Sequence, residues 1–272
     1  MISLAAFEEV IDASGVAPRL DALLPAGARA RQLSVRTLLA GMCLAQADHR
    51  PAHLTRVHQA LTALGEDDQR RLGVIADWKD GPHQLTYRQT ERTFNLVARA
   101  LSKDEPDGLP SGPMQRVCDD LLEASIPEEF KYVSASLAVD WTDLESFSRP
   151  PPHGTTDCAD PEASWGHRRN NLLRSQDELF FGYYFSGAIM MRDERGPAVP
   201  ELARRATVSS PRHDPVRAFA PVLTAMPGQG IAVSTGAKAR TGSCRHDDSV
   251  ARRVSSGRAG PFSSRVMMPA DR

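Results

Sequence analysis

Residues 179–191, LFFGYYFSGAIMM, restrict what this chain can fold into more than any other stretch. The run is aromatic and aliphatic, and Asp177-Glu178 and the turn-forming RDERGP bound it, so it predicts a strand. A strand of this kind needs neighbours, and the sequence offers two. SLAVD, residues 136–140, is a short apolar run ending on a carboxylate, and VPELARRATVSS, starting at Val199, reads as a third strand. Asp214 and Pro215 then open a helix, DPVRAFAPVLTAM, with Asp at the cap and Pro in the first turn. The order strand, strand, strand, helix predicts the start of an α/β core over residues 133–228. The polar segment between the first two strands, residues 149–178, is too rich in Pro and charge to be core and reads as an insertion.

Residues 1–126 follow a different period and read as helix after helix. Ser34 can cap VRTLLAGMCLAQA, in which Val35, Leu38, Leu39, Met42 and Leu44 favour one side. HLTRVHQALTAL and EDDQRRLGV follow, and Thr86 with Gln89 forms a capping-box pattern before YRQTERTFNLVARAL. On that last helix Tyr87, Phe94, Val97, Ala98 and Leu101 form an apolar stripe, while Arg88, Arg92 and Arg99 share a different face. After a Pro- and Gly-rich loop, PMQRVCDDLLEASI is a further helix. The fold class expected is therefore mixed: an all-helical domain followed by an incomplete α/β sheet core.

From about Gly228 the style changes again. The remaining residues carry one aromatic, Phe262, are rich in Arg, Ser, Gly and Ala, and show neither a 2 nor a 3.6 period. A disordered tail over 229–272 and an out-of-frame translation of a GC-rich gene both produce this composition, and neither predicts a packed core.

Composition narrows the function classes. A formal net charge of −1 excludes a global basic excess, so nucleic-acid binding has to come from local patches. The four cysteines contain no CxxC pair, the first residues lack a basic signal-peptide start, and no apolar run approaches a membrane span. A soluble cytoplasmic protein without a membrane partner is expected. No Walker loop, GxGxxG or GxSxG elbow is present.

Three candidate sites remain. In LAVDWTDLESF, Asp140 closes the apolar run, with Asp143 and Glu145 close behind, and a carboxylate at a strand end is a rigid ligand for Mg²⁺. An acidic surface turn explains the same residues. WGHRRNN places Arg168 and Arg169 beside Trp165 and His167, suited to phosphate contact and stacking, or to a solvated basic loop. Arg88, Arg92 and Arg99 can lie along a DNA backbone or form an ordinary charged face. His153, Asp157, Cys158, Asp160 and His167 match no zinc spacing.

Taken in order, LAVDWTDLESF, DPEASWGH, DELFFGYYFSGAI and DPVRAFAPVL resemble actinobacterial insertion-sequence transposases of the DDE type, whose catalytic core is RNase H-like. LSVRTLLAGMCLAQADHRPAHLTRVHQAL and GPHQLTYRQTERTFNLV are similar to the N-terminal region of that group. The resemblance covers roughly residues 5–230. It implies a DNA-binding helical domain, Asp140 as the first catalytic carboxylate and Mg²⁺ ligand, double-stranded element ends as partner, and a homo-oligomer at the nucleoid. The chain departs from the pattern after GIAV, where a strand ending in the second catalytic Asp and followed by Gly-Tyr is missing, and the catalytic Glu has no room before Arg272. The resemblance thus implies a truncated copy with weak or absent Mg²⁺ binding and no strand transfer. A non-catalytic remnant that binds element ends or regulates transposition, and a helical interaction protein without nucleic acid, are the alternatives.

Overall fold

A computed structural model describes residues 3–25, 32–47, 53–102, 112–152, 155, 158–169, 177–193, 195–224, 231–232 and 264–267. The chain divides into two compact units, Met1–Asp104 with Glu123–Ser125, and Glu105–Leu122 with Ile126–Arg272.

The first unit holds α1 (Leu4–Ser14), α2 (Val16–Leu23), α3 (Val35–Ala47), α4 (Leu54–Thr62), α5 (Glu66–Arg71) and α6 (Tyr87–Leu101). Gly15 separates α1 from α2 because its φ of +62° is a left-handed conformation that side chains disfavour. Ile11, Leu20, Leu38, Val57, Leu61 and Val97 are buried and form the interior of these helices. Gly41 sets the closeness of α3 and α4, since a Cβ there would meet Leu61 Cγ at 2.8 Å. The capping box on α6 is present: the Thr86 hydroxyl accepts from Gln89 N, and the Gln89 side chain accepts from Thr86 N at 2.8 Å.

Two features of this unit depart from the sequence reading. The uninterrupted run of helices is broken by a hairpin, β1 (Ile75–Trp78) and β2 (Gly81–Gln84), paired antiparallel from Ile75↔Gln84 to Trp78↔Gly81. Its turn is Lys79-Asp80, and Gly81 takes the positive φ of +120° that closes it. The Asp-Gly step was the local signal, masked by the helical period on either side. The second feature is an ion cluster. Glu8, a charged residue on the inner side of α1, accepts from Arg36 at 2.6 Å and from Arg71 at 2.5 Å. It ties α1, α3 and α5 together, and the Arg71 hydrogen bond, aided by Arg36, holds its carboxyl below the usual range against the opposing effect of burial.

The second unit carries most of α7 (Pro113–Ser125), which the sequence had grouped with the helical half, and then β3 (Ser136–Glu145), β4 (Ser164–Arg169), β5 (Asp177–Met191), β6 (Ala203–Ser209), α8 (Pro215–Thr224), β7 (Ile231–Ala232) and β8 (Ser264–Met267). The aromatic run is the centre of the sheet, as its composition demands. β5 pairs antiparallel with β3 on one edge and with β4 and β6 on the other. β8 lies parallel to β3, and β7 parallel to β8.

Register fixes the core. Leu137 sits opposite Met190 and Val139 opposite Ala188, so all four point to one face. Phe219, Val222 and Leu223 of α8 close over Leu137, Val139 and Ala188. This is a mixed α/β unit built on a largely antiparallel sheet. Three expectations change. β3 continues five residues past Asp140, so Asp140 does not end its strand. The insertion contains a strand, β4, because Trp165 to Arg169 pairs with the early part of β5. In the tail expected to lack structure, residues 231–232 and 264–267 are paired as strands, and the rest of 229–272 lies outside the described residues. Among the described residues no helix is long and apolar enough to cross a membrane.

Candidate metal and nucleic-acid sites

The extension of β3 decides how its carboxylates are presented. Side chains alternate faces along a strand, so Asp140 and Asp143, three residues apart, point to opposite sides of the sheet. Asp140 is exposed and lies opposite Gly187 of β5, and its Oδ1 accepts from the Trp141 backbone N at 2.8 Å. Asp143 shares its face with Glu145 and with Val139 of the core. A single ion held jointly by Asp140 and Asp143 is therefore incompatible with the strand. The pairing expected from sequence fails because SLAVD was read as too short to carry the parity through.

Asp143 also has a cation already. Arg168 of β4 reaches across β5 and donates to Asp143 at 2.7 Å, to Glu145 at 2.9 Å and to Glu178 at 3.1 Å. The bond to Asp143 is the leading cause that raises the guanidinium pKa, so Arg168 stays charged. One arginine facing three carboxylates is a net-negative cluster, a poor surface for phosphate. Arg168 is thus placed as an internal counter-ion. Arg169 pairs through its backbone with Asp177, and its side chain lies outside the described residues. Among the described residues, no group of three His, Cys, Asp or Glu side chains is arranged to hold a metal ion.

Of the residues weighed against a zinc spacing, Asp160 and Cys158 are structural, and His167 is exposed and engaged through its carbonyl, which accepts from the Tyr184 hydroxyl at 3.1 Å. Asp160 accepts from Ser146 Oγ at 2.6 Å and from the Tyr183 hydroxyl, clamping the connection after β3 to β5. Burial first, then Asp160, pushes the Tyr183 phenol pKa up. Cys158 Sγ bonds to Arg149 O and accepts from Asp160 N, both at 3.4 Å. His153 and Asp157 lie outside the described residues. No local sequence signal announces this clamp, because it depends on the β4–β5–β3 register.

The arginines of α6 behave differently. Arg88, Arg92 and Arg99 are exposed, as is Asn95, and at 100° per residue all four fall within about 60° of one another. Thr90, Thr93, Val97 and Leu101 occupy the opposite, buried side. From Arg88 to Arg99 the stripe runs about 16 Å along the axis. These three arginines have no ion pair or hydrogen bond among the described residues, whereas Arg36, Arg70 and Arg71 in the same unit are each bound to carboxylates. Glu91, half-buried beside the stripe, is the acidic group nearest to it in sequence.

No protein-family model, no curated protein and no solved structure matches the chain.

Proposed function

We propose that this protein binds double-stranded DNA through the arginine stripe of α6 and is derived from a DDE transposase whose strand-transfer chemistry it no longer performs. The observation that carries the DNA reading is the contrast among arginines. Those that lock the helical unit are neutralised by acids, and those aligned on the exposed face of α6 have no acidic partner among the described residues. Aligned, unneutralised guanidiniums are what a phosphate backbone recruits, and each contact releases counter-ions.

The transposase reading rests on the resemblance of residues 5–230 and is supported by strand order. Three antiparallel strands, β3, β5 and β6, with a parallel neighbour on the far side of β3, suit an RNase H-like arrangement in which Asp140 lies on the first strand. Inactivity follows from the charges. Mg²⁺ wants several hard oxygens, Asp140 stands apart from Asp143, and Asp143 is engaged by Arg168. Among the described residues, two-metal catalysis has no second ligand set to bridge the ions.

The test uses the full chain with a duplex carrying the element's terminal inverted repeats. Binding at low salt that weakens steeply as salt rises is expected. A chain that leaves the duplex free at low salt removes the DNA reading and favours a helical interaction protein. Strand cleavage in Mn²⁺ that disappears in Asp140→Ala overturns the claim of inactivity.

A further inference from the structure

The face of the sheet that α8 leaves uncovered is apolar. Leu144 of β3, Phe185, Ile189 and Met191 of β5, and Val208 of β6 share it, with Trp165 and Leu179 towards the β4 end. Each of the seven is between 38% and 60% exposed. Seven such side chains leave on the order of 500 Å² of apolar surface in water, large for a monomer. Among the described residues, Asp140 is the one carboxylate in its central rows.

The relief of this face is what identifies its occupant. Reading across the strands, Thr142, Phe185 and Val208 form one row, and the next row is Asp140, Gly187 and Ala206. The first row is a ridge and the second a trough, about 7 Å apart. A two-fold axis lying in the plane of the face, perpendicular to the strands and midway between these rows, exchanges them. Phe185 of one copy then lies over Gly187 of the other, and Val208 over Ala206. The same operation sets Leu144 over Ala138 and Tyr183 over Ile189, and brings the Thr142 hydroxyl, a donor, to the Asp140 carboxylate. Large residues meet small ones at Phe185, Val208 and Leu144, Tyr183 stacks on Ile189 at the margin, and the one charge receives a hydrogen bond.

We infer that this face docks on the same face of a second copy of the chain, in a two-fold, self-complementary contact. Two such faces with their rims reach the roughly 1,200 Å² at which specific interfaces begin. A surface so poor in charge carries nothing to select a different, charged partner. The contact closes over Asp140, so the assembled form holds that carboxylate away from DNA. The inference stands on the sheet alone and does not depend on the DNA reading of α6.

Sedimentation of the full chain across about 0.5–50 μM tests it. A monomer–dimer equilibrium is expected. Phe185→Asp should raise its Kd by at least roughly 100-fold. Gly187→Val provides a second variant that spares the monomer, because a Cβ at Gly187 meets only Phe185 Cε1 at 3.7 Å and Arg205 O at 4.0 Å, ordinary contacts. It fills the trough and should also dissociate the dimer, with an unchanged circular dichroism spectrum. Tyr132→Asp, at an exposed position before the sheet, should sediment like the parent chain. A parent chain that is monomeric throughout the range overturns the inference. So does a dimer, or a larger aggregate, that both Phe185→Asp and Gly187→Val leave intact.

Discussion

The two units use arginine in opposite ways. In the helical unit, Arg36 and Arg71 converge on Glu8 and draw three helices together, while Arg88, Arg92 and Arg99 stand in solvent on a helix whose other side is the core. In the sheet unit, Arg168 is consumed by three acids, and Arg205, almost wholly buried, sits 3.6 Å from Asp119 of α7. The lesson is that basic residues in a sequence do not make a basic surface. What matters is which of them the fold leaves without a carboxylate, and among the described residues α6 lines up three such arginines on one exposed face.

The largest effect that sharpens this comparison lies in the sheet unit. Phe219, 2% exposed, plugs the contact between α8 and the sheet, so Phe219→Ala should destabilise that unit by about 3–5 kcal/mol. Urea unfolding read at Trp141 and Trp165 should shift, while unfolding read at Trp78 in the helical unit should not. A common shift at all three tryptophans means that the units do not unfold separately.

Next in size is the removal of the free arginines. Replacing Arg88, Arg92 and Arg99 together by Ala should lower the slope of log K against log salt by about 2.7, at about 0.9 per phosphate contact. Thermal stability should hold, because nothing among the described residues pairs with them. Arg71→Ala should do the reverse, lowering stability and leaving the salt slope alone. If both substitutions change DNA affinity alike, the division between structural and DNA-facing arginines fails.

Glu8→Gln follows, at about 2 kcal/mol, because two guanidiniums lose a charged acceptor, though their own exposure screens part of the cost. The same contact gives a pH dependence. The folded-state pKa of Glu8 is depressed, so its contribution is complete above the unfolded value near 4.3 and is lost as pH falls through the lower folded value. Melting temperatures of the parent chain should fall over that acid window, and Glu8→Gln should flatten the fall.

The smallest effect has the opposite sign. The hydroxyls of Ser186, Thr207 and Ser209 are buried on the β5–β6 part of the sheet and have no hydrogen-bond partner among the described residues. Thr207→Val keeps the shape, removes an unpaired polar atom, and should raise the sheet unit's stability by about 1 kcal/mol. A loss of that size in urea unfolding shows that the hydroxyl is satisfied after all.

Much of this was written in short stretches. The aromatic content of 179–191 made β5 a strand, Asp214-Pro215 opened α8, and the spacing of Thr86 and Gln89 started α6 in a register that puts three arginines on one side. These follow from side-chain period and capping, which act over a few residues and need no distant partner. The hairpin at 75–84 was missed because four-residue strands hold too little period to stand out between helices.

What the sequence could not determine depends on pairing between distant strands. It marked Asp140 and Asp143 as neighbours, but only the pairing of β3 along ten residues of β5 extended the strand past Asp140 and sent the two carboxylates to opposite faces. It marked Arg168 as a free basic residue, and the β4–β5–β3 register turned it into a counter-ion. Local propensity chooses strand or helix. Which charges meet, and which apolar face stays uncovered, is set by hydrogen-bond register across chain segments tens of residues apart.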